Sequence, residues 1–286
     1  MTIRIRSAIA LALACLLHLP APAAAQPDVR GILFAVGVSD DGGALLEPVA
    51  NLLAEGFMQP PDDPESDDMA RFYARWMRPG TRYEVLSRGE RIGTATLREV
   101  RDGGCFGMAL PGTLDTGRTL NEGWQGLAGE GLPEQRDAPW LREVTAEEKR
   151  RLDRMAAALF DAHGIRVAER TRGDTATAAL IGHPNARPVL VASYALKTED
   201  ALFRQAALLV IAEDGDDGYR PAYAWFHEAS EADVESRELI DAADLDGDGQ
   251  AELVVRNGFY ESWSFTILTR SPMGWVEVYS GGGGGC

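Results

Sequence analysis

The sequence predicts an α+β protein, with N-terminal helices and a hairpin followed by a mainly antiparallel β domain. Three observations carry this expectation. Apolar residues recur at helical spacing in residues 45–57, 66–76 and 145–163. From Ile165 onward, short runs rich in β-branched and aromatic residues alternate with Gly, Asp, Asn and Pro. The connections between those runs are short, which favours antiparallel neighbours over parallel crossovers.

Residues 1–25 read as a secretion signal. Arg4 and Arg6 form a positive leader, Ile9 to Leu19 is an uncharged apolar run, and Ala23–Ala24–Ala25 offers a small-x-small cleavage site. Cys15 opens a lipoprotein alternative, but the apolar run continues past it. The expected location is periplasmic or secreted. No later segment is apolar and long enough to span a bilayer as a helix, so no integral membrane segment is expected once the signal is removed. The remainder divides into a mixed α/β region, 26–144, and a region, 145–286, made of a capping helix and an antiparallel β domain. The formal charge of the 286-residue chain is −16, and loss of Arg4 and Arg6 makes it more negative still. Such a surface repels nucleic acid and attracts divalent cations. Cys105 and Cys286 are the two cysteines beyond the signal, and in an oxidising compartment a Cys105–Cys286 disulfide is expected.

In the first region Leu45, Leu46, Val49, Leu52 and Leu53 suggest a short helix, with Pro48 tolerable in its first turn. Ser66 caps a second helix with Asp67 and Asp68 in its first turn and Met69, Phe72, Tyr73 and Trp76 as its apolar face. Residues 81–97 suggest a hairpin turning at Arg88–Gly89, with a strand to follow around 105–110. The Gly- and Pro-rich stretch from Gly112 to Pro139 reads as loop. Thr145 and Glu148 form a capping box ahead of Leu152, Met155, Ala156, Leu159 and Phe160, and Gly164 ends that helix. Eight strands follow, at 175–181, 188–196, 205–213, 219–227, 238–243, 252–256, 263–269 and 275–279.

The chemistry is concentrated in Asp244–Leu245–Asp246–Gly247–Asp248–Gly249–Gln250–Ala251–Glu252. Carboxylates at relative positions 1, 3, 5 and 9 can converge on a hard cation if the glycines let the backbone curl. An oxygen-only donor set points to calcium. An EF-hand is excluded, because its twelfth position here is Val255 and a strand pattern follows directly. The loop resembles the D-x-D-G-D-G-x-x-[DE] motif of FG-GAP and VCBS-type repeats, and single-loop secreted bacterial proteins of that kind. That resemblance implies Ca2+ held by Asp244, Asp246, Asp248, the Gln250 carbonyl and Glu252, in a structural role. It also implies a blade-like meander. The motif occurs once, so a full propeller is not expected.

Catalytic signals are sparse. His163, His183 and His227 lack metal-ligand spacing, Ser193 and Ser262 lack a nucleophile-elbow context, and no phosphate-binding fingerprint occurs. The expectation is an exported calcium-binding protein acting as a binding or envelope-associated module, with a protein or glycan partner. The alternative is a secreted hydrolase with a pocket between the two regions, pairing Asp161 or Glu228 with His163 or His227.

Overall fold

The computed structural model describes residues 28–38, 43–98, 109–120, 123–135, 140–165, 171–182, 187–197, 205–216, 218–229 and 235–285. The signal, Cys105, Cys286 and His183 therefore lie outside the described residues. The described residues are mostly β, with 60% strand and 13% helix, and this overturns the α+β expectation. Among the described residues there are two helices, α1 (Asp67–Trp76) and α2 (Ala146–Ala162).

Strands β1 (Val29–Val38), β2 (Ala44–Leu53), β4 (Arg82–Ser87), β5 (Glu90–Leu97), β6 (Leu110–Thr116) and β7 (Gly123–Glu130) close into a six-stranded antiparallel barrel, ordered β1-β7-β4-β5-β6-β2 and back to β1. The short β3 (Phe57–Met58) extends β2. The barrel interior holds Ile32, Phe34, Val36, Tyr83, Val85 and Leu97, and α1 adds Met69, Phe72 and Trp76 to the same cluster. Ser66 caps α1 as expected, its Oγ accepting from the Met69 N–H at 3.1 Å.

The helix expected at 45–57 is β2. The cause is a bulge: Leu33 pairs with Ala50 and Phe34 with Pro48, so Val49 has no partner residue. Ala44 and Leu46 face the barrel interior before the bulge, while Val49, Ala50 and Leu52 face outward after it. The phase switch leaves Leu45 and Leu46, Val49, and Leu52 and Leu53 three to four residues apart and so imitates a helix.

The loop expected over Gly112–Pro139 contains most of β6 and all of β7. Their glycines mark close backbone approach rather than turns. A Cβ at Gly126 would lie 2.8 Å from the Leu86 carbonyl oxygen, and one at Gly129 would lie 2.5 Å from that of Ile32. The Arg88–Gly89 turn is as expected, with φ of 57° and 72° at its two residues.

All eight expected C-terminal strands are present, but they form two sheets. One is ordered β12-β11-β10-β9-β8, from β8 (Leu141–Arg142), β9 (Thr171–Leu180), β10 (Val189–Lys197), β11 (Gln205–Gly215) and β12 (Gly218–Ala229). The other is a meander of β13 (Ser236–Ala243), β14 (Glu252–Gly258), β15 (Ser262–Ser271) and β16 (Gly274–Gly285). Leu152, Ala156 and Phe160 of α2 cover one face of the five-stranded sheet. Its opposite face, through Val191, Leu209 and Ile211, packs on Leu253, Val255 and Leu268 of the meander. The meander's other face, through Val254, Phe265 and Ile267, packs on Leu33, Ala35 and Leu127 outside the barrel. The order of layers is therefore helix, sheet, meander, barrel. Strands covered on both faces need apolar residues at every position, which explains the unbroken apolar burial of 32–36, 206–212 and 253–255.

Candidate metal centre

The acidic loop joins β13 to β14 at the boundary between meander and barrel. Leu245, fully buried, plugs the apolar cluster shared with Leu33, Leu127 and Leu132 of the N-terminal region. The backbone is pinned from outside the loop. Gln135 Nε2 donates to the Asp244 carbonyl at 2.7 Å, its Oε1 accepts from the Asp244 N–H at 3.0 Å, and an Arg30 Nη donates to the Leu245 carbonyl at 3.0 Å. Gly247 and Gly249 take φ of 88° and 84°, the left-handed conformation that the curl requires.

Asp244, Asp246 and Glu252 converge, with one carboxylate oxygen from each within 4.8 Å of the others. Oxygens that share a calcium at about 2.3–2.6 Å lie no more than roughly 5 Å apart, so the spacing fits one ion. Asp244 and Glu252 are buried, and Asp246 is exposed. The loop's own amides serve the same carboxylates: Gly247 and Gly249 N–H donate to the two Asp244 oxygens at 2.6 and 2.9 Å, and Leu245 N–H donates to Glu252 at 2.8 Å. Thr269 Oγ1 on β15 donates to the other Glu252 oxygen at 3.0 Å. Asp248 stands apart from the three. Its carboxylate accepts from the Gln250 backbone N–H at 2.7 Å and from Gln250 Nε2 at 3.0 Å.

The electrostatics favour a cation. Burial pushes the Glu252 carboxyl up to about 7 against the Leu245 amide, and the neighbouring Asp246 and Asp248 charges add to the rise. Asp244 is raised for the same leading reason, burial, opposed by the Gly247 and Gly249 amides. Buried carboxylates that meet a third either take up a proton or are relieved by positive charge placed between them.

Gln135 and Thr269 carry no local sequence signal, because they support the loop from positions far along the chain. Two buried carboxylates lie outside the expected site, Asp241 and Glu47. Glu47 faces out of the barrel, Oε1 accepts from Trp263 Nε1, Oε2 has no hydrogen-bond partner, and burial lifts it to about 7. Its one sequence signal is a lone charge inside the apolar run 44–53.

The residues of the hydrolase alternative sit differently. His163 stacks on Phe226 with centroids 3.8 Å apart, and His227 Nδ1 accepts from the Glu235 N–H at 2.9 Å. Trp140 is buried against the two C-terminal sheets, and half-buried Trp124 packs beside the barrel–meander cluster.

No helix among the described residues is long and apolar enough to cross a membrane. Comparisons with protein-family models, with curated proteins and with solved structures gave no match.

Proposed function

We propose that this chain is an exported calcium-binding protein whose single ion clasps the C-terminal meander to the N-terminal barrel. The observation that carries the reading is the convergence of Asp244, Asp246 and Glu252 around the buried Leu245, in a loop already tied to Gln135 and Arg30. Those three carboxylates supply the first oxygens; Asp248, here turned to Gln250, and the Gln250 carbonyl complete the shell once the loop closes on the ion. The role is structural, since protein oxygens fill the shell and leave little room for a substrate. A four-stranded meander with the acidic loop directly ahead of β14 supports the likeness to a single FG-GAP or VCBS-type blade. The protein works in the periplasm or outside the cell, as a binding or envelope-associated module for a protein or glycan partner.

Thermal unfolding with calcium, with magnesium and with chelator tests this. An ion that binds only the folded state at a hundred times its Kd adds about 2.7 kcal/mol. Calcium should raise the Tm saturably, and Asp246→Ala should abolish the rise. Asp246 is exposed, so the variant should still fold. A wild-type Tm that is equal in calcium and chelator overturns the reading.

A further inference from the structure

A cleft of about 580 Å³ lies beside α1 at the β2–β3 edge of the barrel, and it shares no residue with the acidic loop. That volume is in the range of small-molecule sites. Helical spacing builds it. Phe72 and Trp76 turn inward to the barrel core yet floor the cleft, while Asp68, Arg71 and Arg75 stand on its rim. Val29 and Met58 complete the apolar floor.

Asn51 gives the cleft its polar demand. It is 3% exposed and lines the cleft. Its Nδ2 donates to the Gln59 carbonyl at 3.4 Å. A carbonyl only accepts, which fixes the orientation of the amide. Asn51 Oδ1 is left buried with no hydrogen-bond partner, an acceptor that a ligand's donor would satisfy.

The rim selects the charge of that donor. Arg71 is paired with Asp68. Arg75 donates to the Val29 carbonyl at 2.7 Å and lies 4.3 Å over the Trp76 ring. Asp62 and Asp63 also stand on the rim with no ion pair among the described residues, Asp63 Oδ1 accepting from the Glu65 N–H at 3.0 Å, so three aspartates face two arginines and the rim is net negative by one charge. The chain's overall negative charge adds to their field.

We infer that this cleft binds a small amphiphile carrying a protonated amine on an apolar, ring-sized body. The ammonium donates to Asn51 Oδ1 and faces Asp62 and Asp63, and the body lies on Phe72, Trp76 and Met58. Isothermal titration of the purified protein with phenethylamine and with 3-phenylpropionate tests the assignment, because the two probes differ in charge more than in shape. Phenethylamine should bind saturably at one site, at least about tenfold tighter than the carboxylate, the size of one good hydrogen bond to a charged group. Asn51→Leu should lose about tenfold of the amine affinity. The exposed double variant Asp62→Asn, Asp63→Asn should also weaken the amine, with a loss that shrinks as salt rises. It serves as the deciding variant if Asn51→Leu does not fold. Absence of saturable amine binding, equal affinity for both probes, or unchanged amine affinity in the rim variant overturns the proposal.

Discussion

Gln135 holds Asp244 by both of its backbone groups, donating to the carbonyl at 2.7 Å and accepting from the N–H at 3.0 Å. A side-chain amide here does the work of a strand neighbour for a loop residue 109 positions away. Gln135→Ala leaves two buried backbone groups without partners. Denaturant unfolding should show a loss of about 2 kcal/mol, and calcium should bind the variant more weakly. Wild-type stability in the variant would contradict the pinning role.

The capping box of Thr145 and Glu148 at the N-terminus of α2 makes a pH-dependent contribution at acid pH. Glu148 accepts from both Nη atoms of Arg142, at 2.8 and 2.7 Å, and from the Thr145 N–H at 2.8 Å. The Arg142 hydrogen bonds lead in holding its carboxyl down at about 2. A depressed folded value means stability that is present above the ordinary 4.5 and lost as pH falls through about 2. Glu148→Gln should therefore cost about 1 kcal/mol at neutral pH, and its deficit should close near pH 2. A deficit independent of pH would point to packing instead.

Glu47 works in the opposite sense. Burial lifts its folded value to about 7 from the ordinary 4.5, against the pull of Trp263 and Arg256. Its contribution is fully present below pH 4.5 and disappears as pH rises through about 7. Metal-free protein should lose stability between about pH 5 and 8, and Glu47→Gln should reduce that slope by Glu47's share, with Asp241 and Glu252, also lifted to about 7, supplying the rest. Melting curves across this range decide it, and an unchanged slope in the variant would falsify the assignment.

Gly283 is where β16 presses hardest on its neighbour. A Cβ there would lie 2.0 Å from the Trp263 carbonyl oxygen, at a φ of 91°. Gly283→Ala should cost more than about 2 kcal/mol, whereas Gly182→Ala, with no described residue within 4 Å of an added Cβ, should be within about 0.5 kcal/mol of wild type. Similar losses at both positions would show that the β15–β16 register adapts.

Legibility in the sequence followed the range of the interactions. The Thr145–Glu148 box, the Ser66 cap and the Arg88–Gly89 turn are local, and each appears where the residues place it. The C-terminal strands were readable because Gly, Asp and Pro punctuate them. Barrel closure was not, because it depends on pairings such as Ile32 with Glu130 and Ala44 with Gly112 that no local pattern encodes. The Val49 bulge and the wall glycines actively misled, one by copying a helical period and the others by copying loop composition. In the candidate metal centre, Asp244, Asp246 and Glu252 follow from spacing alone, while Gln135 and Thr269 come from remote segments.

The meander is the middle layer, yet it comes later in the chain than both layers that enclose it. During synthesis the barrel exterior around Leu33 and Leu127 and the sheet face around Leu209 must wait, greasy and uncovered, for residues 236–285 to arrive. A nascent chain stalled before that segment presents two sticky surfaces at once, the natural substrate of a holdase.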